Sequence, residues 1–380
     1  PLQFPLNWMP GHVHSASDKP SEARDENSER WVSVFTEGDE LYDAMLTDIR
    51  AARITIRFEC YIFADDEIGG QFFSALEKMS ALGCVVKARA DYAGSWGAVP
   101  PARQRSLEKA GVHWSWSRPW SWRAPWIFNR RNHRKLLIID DRIAYVGGFN
   151  IHRESSLRIF GLARWRDTHV RLTGPLVKDA IRFFDRFPHR PRLTWRNFPH
   201  GIGLLPNNSH GCRHLLRCAF NAHFRSARER IWLTTPYFVP DSRSQRALRA
   251  AAKRGVDVRV LVPAKSDVTL TTWAARASYS RMLASGIRIW EYEGRVLHAK
   301  TTLVDRDWGT VGTANYDYRS FFLNDELNLV VEEEIFNAGL ARQFEDDLTE
   351  STEVTVSGWR HRAWYAVVAE FIGWWARRWL

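Results

Sequence analysis

Apolar positions along the chain fall into short runs separated by longer stretches with helical spacing. In the first half, RITIRFECYIF (53–63) predicts a strand and Asp66 to Leu82 a helix. CVVKARADY (84–92) follows as a strand, Pro101 to Ala110 as a short helix and GVHWSWS (111–117) as a third strand. The same order returns later. RIWLTTPYFV (230–239) is a strand, Asp241 to Arg254 a helix closed by Gly255, and VDVRVLVP (256–263) a strand. Asp267 to Ser285 is then a helix and IRIWEY (287–292) a strand. This alternation predicts a duplicated α/β chain whose sheets are largely parallel. Residues 188–210 are rich in Pro, Gly and Asn and read as the linker between the copies. Residues 11–30 are polar and read as a mobile lead-in, where His12 and His14 have no Cys or acidic cluster to complete a metal site. The expected divisions are 1–30, 31–200, 201–350 and a Trp/Arg-rich amphipathic segment, 351–380.

Composition adds a direction. The chain has 380 residues, of which 54 are Lys or Arg and 43 Asp or Glu, giving a net charge of +11. That excess suits a polyanionic partner, either nucleic acid or an anionic membrane. The 19 tryptophans tilt the balance towards the membrane, because indole favours places where an apolar body meets a wet edge. Cys60, Cys84, Cys212 and Cys218 form no C-x-x-C pair, and a reducing compartment follows. No stretch approaches the roughly 20 apolar residues that span a bilayer, and no signal-peptide pattern is visible. The expectation is a soluble or peripheral cytoplasmic protein.

The candidate chemistry lies in a stretch that occurs twice. NHRKLLIIDDRIAYVGGFN carries His133, Lys135, Asp140, Gly147, Gly148 and Asn150. LHAKTTLVDRDWGTVGTAN carries His298, Lys300, Asp305, Gly312, Thr313 and Asn315. Both fit H-x-K, four residues, D, six residues, G-[GT]-x-N. One match arises by chance with a probability on the order of 10^-5, so two in one chain are not coincidence. His and Lys two apart on a strand share a face, and the following turn adds a side-chain amide. Two sets of imidazole, ammonium and amide could surround one phosphate. Only nine residues of the chain are lysine, yet two of them stand here.

The duplicated pattern resembles the phospholipase D superfamily. The surrounding text, GGFNIHRES…RWRDTHVRLTGPLV and GTANYDYRSFFLNDELNLVV, resembles bacterial cardiolipin synthases over about residues 31–350. The resemblance implies two α/β repeats related by a pseudo-twofold axis, mixed sheets flanked by helices, and an active site between the halves. It implies metal-free and cofactor-free transfer through two histidines, His133 as nucleophile and His298 as acid/base. Lys135, Lys300, Asn150 and Asn315 would then hold the phosphate oxygens. Asp140 and Asp305 belong to the signature, although a structural role suits them better than a chemical one. Asp167, 34 residues after His133, and Glu326, 28 after His298, would each accept a hydrogen bond from the imidazole of its own half. A solvated strand-end acid is the competing reading of both.

The implied reaction joins two phosphatidylglycerol molecules into cardiolipin and glycerol at the cytoplasmic face of the inner membrane, with the enzyme bound peripherally to anionic phospholipid. Hydrolysis to phosphatidic acid, a nuclease of the same chemistry and a catalytically dead membrane-binding protein are the alternatives. No nucleic-acid partner is expected. Trp120, Trp122 and Trp126, interleaved with Arg118, Arg123, Arg130 and Arg131, form an expected exposed loop at the headgroups, whereas Trp114 and Trp116 have the spacing of core positions. Nucleobase stacking is the other use of such a loop. In the tail, Trp364, Val367, Val368, Phe371, Ile372, Trp375 and Trp379 share one helical face, opposite Arg362, Glu370 and Arg377. Such a helix either lies in the membrane interface or packs on the body.

Overall fold

The computed structural model describes residues 31–123, 125–187, 201–207, 215–266 and 268–376. Its first sheet has the order β1-β7-β6-β5-β2-β3-β4. Here β1 is Val32–Phe35, β2 Thr55–Cys60, β3 Val85–Asp91, β4 His113–Ser117, β5 Leu136–Ile139, β6 Ile143–Gly147 and β7 His169–Leu172. The second sheet, read in the same sense, runs β8-β14-β13-β12-β9-β10-β11-β15. Its strands are β8 Ile202–Pro206, β9 Arg230–Thr234, β10 Asp257–Pro263, β11 Arg288–Tyr292, β12 Thr301–Val304, β13 Trp308–Gly312, β14 Leu327–Val331 and β15 Ser351–Glu353. Strand for strand the two orders coincide, with β15 added at one edge. That is the duplication expected from the repeated text.

Two readings of the residue pattern need correction. The alternation pointed to largely parallel sheets, whereas the sheets are mixed, as the resemblance implied: only β2-β3-β4 and β9-β10-β11 are parallel. Each motif strand instead turns back on itself. β5 and β6, and likewise β12 and β13, are antiparallel hairpins. Asp140, Asp141 and Asp305 adopt positive φ (51°, 55° and 53°) in their turns, a conformation that Asp tolerates better than bulkier residues. The second correction concerns the stretch read as linker. Ile202–Pro206 is a buried edge strand, paired antiparallel with β14.

The continuous apolar runs of the motif strands follow from burial on both faces. Leu136 and Ile138 of β5 point into a central core shared by the halves, and Leu137 and Ile139 into an outer core of the first half. Leu327, Leu329 and Val331 of β14 join the central core, while Val330 faces the outer core of the second half. Helices Gly38–Ala51 and Gly69–Ala81 cover the first outer face; Leu215–Ser226, Ser242–Lys253 and Thr269–Leu283 cover the second. Two sheets therefore pack face to face between helical layers. β5 begins opposite Glu59 and β12 opposite Thr234, at the C-terminal ends of β2 and β9. Both H-x-K segments thus emerge at the same kind of sheet edge, and backbone bridges between the halves join those edges.

Candidate active site

Each histidine is fixed by a strand-like contact with the other half. The His133 N–H donates to the Asp325 carbonyl at 3.0 Å, and the Asp325 N–H donates to Arg131 at 2.8 Å. The His298 N–H donates to the Arg166 carbonyl at 2.7 Å, and the Arg166 N–H to Val296 at 2.9 Å. The residue after each bridging position is the acid. Glu326 therefore lies beside His133, its carboxylate 3.0 and 3.1 Å from Nδ1. Asp167 lies beside His298, 2.5 Å from Nδ1. The pairing is crossed, which corrects the expectation that each acid serves its own half. Sequence distance cannot reveal this, because the backbone bridges that set it run between the repeats.

The four side chains are buried. Burial holds the His133 imidazole below its ordinary range, against the opposing pull of Glu326. Burial also works to raise both carboxyls, yet their partners hold each below its usual value: Lys300 and the His298 contact for Asp167, and the His133 contact with the Thr313 hydroxyl for Glu326. Neutral imidazole beside ionised carboxylate makes Nδ1 the protonated nitrogen and leaves Nε2 of His133 with a free lone pair.

The lysines lie beside the imidazoles. Lys135 Nζ donates to the His133 carbonyl at 2.8 Å and lies 5.2 Å from the Tyr61 ring centroid. Burial brings its pKa down to about 8. Lys300 Nζ meets the His298 carbonyl and lies 2.7 Å from His298 Nδ1 and 3.5 Å from Asp167. Asn150 is buried, with Oδ1 accepting from the Ile62 N–H at 3.1 Å, so its amide NH2 is the part that can serve a ligand. Asn315 is buried as well; its backbone N–H donates to Ser320 Oγ at 3.0 Å and its Oδ1 has no protein partner.

Glycine and threonine in the G-[GT] step shape the acid sites. A Cβ on Gly148 would collide with the Asp167 carboxylate, so only glycine leaves that carboxylate its place. At the matching position, Thr313 donates its hydroxyl to Glu326 at 2.5 Å and accepts from the Leu327 N–H at 2.9 Å.

Asp140 and Asp305 stand at the other end of the motif strands. The Asp140 carboxylate accepts from the N–H groups of Arg53, Ile54 and Thr55 at 2.7–3.0 Å. Asp305 accepts from those of Arg228, Glu229 and Arg230 at 2.8–3.1 Å. Each ties its hairpin to the start of the neighbouring strand, and neither approaches the histidines.

In the Trp/Arg loop, Trp120 and Trp122 are exposed, and the guanidinium of Arg123 lies 5.1 Å from the Trp122 ring. Two of its arginines, however, turn inward. Arg118 pairs with Asp325 at 2.6 Å and Arg131 with Asp91 at 3.3 Å. These carboxylates adjoin the histidine bridges, so the loop is tied to the site rather than wholly offered to solvent. The Trp126 side chain, Trp379, His12 and His14 lie outside the described residues. Trp375 is exposed on the C-terminal helix. Sequence reasoning passed over Tyr61 and Trp165, whose rings lie 4.8 Å from His133 and 5.3 Å from His298. Trp165 stands two residues before Asp167, which was its only signal. Among the described residues, no group of three or more His, Cys, Asp or Glu is arranged to hold a metal ion.

Duplicated repeats that cross-supply two histidines at one junction define a phospholipase D-like protein. Residues 45–170 and 221–348 match the family described as "Cardiolipin synthase, PLD-like domain", and the chain belongs to that family. It is 35% identical to Cardiolipin synthase 1 of Staphylococcus aureus (strain MRSA252) over 87% of this chain and 70% of the relative. It is 33% identical to the cardiolipin synthase of Clostridium perfringens (strain SM101 / Type A), over 90% and 75%. The fold matches the phosphatidylserine synthase of Haemophilus influenzae Rd KW20, with a TM-score of 0.68 and 13% identity, over 90% of this chain and 91% of that one. It also matches the polyphosphate kinase of Porphyromonas gingivalis, with a TM-score of 0.61 and 15% identity, over 92% and 54%.

Proposed function

We propose that the protein is a phosphatidyltransferase that makes cardiolipin. His133 Nε2 attacks the phosphorus of one phosphatidylglycerol and forms a P–N bond as the P–O bond to the headgroup glycerol breaks. His298, protonated, gives its proton to the departing glycerol oxygen. A second phosphatidylglycerol then enters, and its headgroup hydroxyl passes a proton to His298. The oxygen attacks phosphorus, the P–N bond breaks, and cardiolipin leaves with His133 neutral again. Lys135, Lys300 and the amides of Asn150 and Asn315 stabilise the charge on the non-bridging oxygens. Glu326 holds His133, and Asp167 holds His298, in the tautomer that each step needs.

The observation that carries this reading is the crossed pair of His–carboxylate contacts at one junction, in a chain similar to cardiolipin synthases along most of its length. The protein acts on phospholipid at the cytoplasmic face of the inner membrane, bound peripherally to anionic lipid. No helix among the described residues is long and apolar enough to cross a membrane. The test is product analysis with phosphatidylglycerol vesicles, by thin-layer chromatography or mass spectrometry, with His298→Ala as control. Cardiolipin plus glycerol, lost in the control, is the expected result. Phosphatidic acid alone would mark a hydrolase instead, and no lipid product would turn attention to DNA and RNA.

A further inference from the structure

The C-terminal helix, Trp364–Ala376, is packed with its polarity reversed. A surface helix normally buries its apolar stripe and offers its charges to water. Here Glu370 is 7% exposed and ion-paired with Arg362 at 2.7 Å, and Gly373 lies so close to Trp273 and Ala274 that a Cβ would collide with them. The opposite side presents Trp364 at 77% exposure and Phe371 at 67%, with Trp375 beyond them. The helix is docked by its polar side, and its apolar side is left facing outward. A contiguous patch of this kind marks a surface that something else covers.

Its placement indicates what that is. Trp359 Nε1 donates to Ser280, near the end of helix Thr269–Leu283, while Gly373 meets Trp273 and Ala274, near its start. The C-terminal helix therefore runs antiparallel to its support. The support begins just after β10 ends, and that is the edge of the second sheet from which His298 emerges. A second exposed apolar segment leaves the matching edge of the first sheet. Residues 157–163 follow the GGFN turn and end two positions before Trp165, the ring beside His298. In this segment Leu157 is exposed and Leu162 is 82% exposed. The exposed Trp122 leaves the same edge, after β4.

We infer that the outward face of helix Trp364–Ala376 and the short helical segment 157–163 form one docking surface for a lipid bilayer, with that segment inserted beside the site mouth. The occupant is a bilayer rather than a second copy of the chain because the exposed face of the helix is tryptophan-rich (Trp364, Trp374, Trp375), both apolar segments lie along the substrate edge, and the chain carries a net charge of +11. The inference rests on the phospholipid reading above, and its test separates the two. Co-sedimentation is measured with sucrose-loaded vesicles of phosphatidylglycerol and phosphatidylcholine, for the full chain, Trp364→Ser/Phe371→Ser and Leu162→Glu. Turnover of short-chain phosphatidylglycerol, below its micelle concentration, is measured in parallel. These substitutions touch exposed positions, and circular dichroism confirms that the fold is kept. Vesicle partitioning should fall at least tenfold in each variant while turnover of the soluble substrate stays within twofold of the parent. Unchanged partitioning would overturn the inference. So would a dimer of the parent in analytical ultracentrifugation that either variant dissociates. A parent that binds vesicles and yields no lipid product would refute the transferase reading and leave the docking surface standing.

Discussion

Replacing Glu326 with Gln keeps the size of the side chain and an oxygen for the Thr313 hydroxyl, and removes only the charge beside His133. At 3.0 Å from Nδ1, and with an effective dielectric of about 20, the lost attraction for an imidazolium is about 5 kcal/mol, or roughly 10^4 in rate. The same order of loss accompanies removal of the orienting charge in a serine protease triad. The crossed pairing gives this substitution a particular signature. With a p-nitrophenyl phosphodiester, the leaving group needs little help from an acid, so formation of the covalent intermediate depends chiefly on His133. Stopped-flow release of nitrophenol should show a burst in Asp167→Asn, because His298 is then unable to activate the acceptor. Glu326→Gln should show no burst and a first turnover slowed by about 10^3–10^4. The opposite pattern, a burst in Glu326→Gln and none in Asp167→Asn, would refute the assignment of His133, held by Glu326, as the nucleophile.

Three other outcomes follow from the geometry. Asp140→Ala removes the acceptor for three backbone N–H groups and should lower the melting temperature, with a cost of about 2–3 kcal/mol. The fraction that remains folded should retain near-parental kcat, and loss of kcat at full folding would give Asp140 a chemical role. Because burial lowers the His133 pKa, its neutral form persists below the usual imidazole range. The acid limb of kcat/KM should lie below pH ~6.5; a limb above that value would contradict the neutral nucleophile. Asp317 is buried at the cap of helix Tyr318–Phe322, and desolvation raises its pKa to about 7. The folded protein then holds a proton that the unfolded chain gives up. Its contribution to stability is greatest below the ordinary carboxyl pKa and is lost as pH rises to about 7. Asp317→Asn should therefore gain about 2 kcal/mol on the parent between pH 5 and pH 8, read as melting temperature, and an equal difference at both pH values would contradict this.

Elements with strong periodicity were legible. The strands and helices expected from Arg53 to Ser117 and from Arg230 to Tyr292 are present within a few residues of their expected bounds. β8 was not legible, because Ile202–Pro206 sits among Pro, Gly and Asn, and its partner β14 is more than 100 residues away. Strand direction was not legible either, since an apolar run reads the same whether its neighbour is parallel or antiparallel. The site residues were visible as types and spacings, but their partners were not. His133 and Glu326 are 193 residues apart and are joined by a bridge between repeats. For the tail, the amphipathic pattern was plain in sequence. Nothing in that pattern said that the Glu370 side would face the protein and the Phe371 side the solvent.

In the proposed reaction phosphorus passes through a covalent bond to one histidine while the other manages the protons. The most direct test is to incubate His298→Ala with the p-nitrophenyl phosphodiester, quench at a pH that preserves phosphoramidate, and map the modified peptide by mass spectrometry. One stoichiometric adduct on His133 is expected. Burst release without any adduct on His133, in a protein that stays folded, would contradict this mechanism.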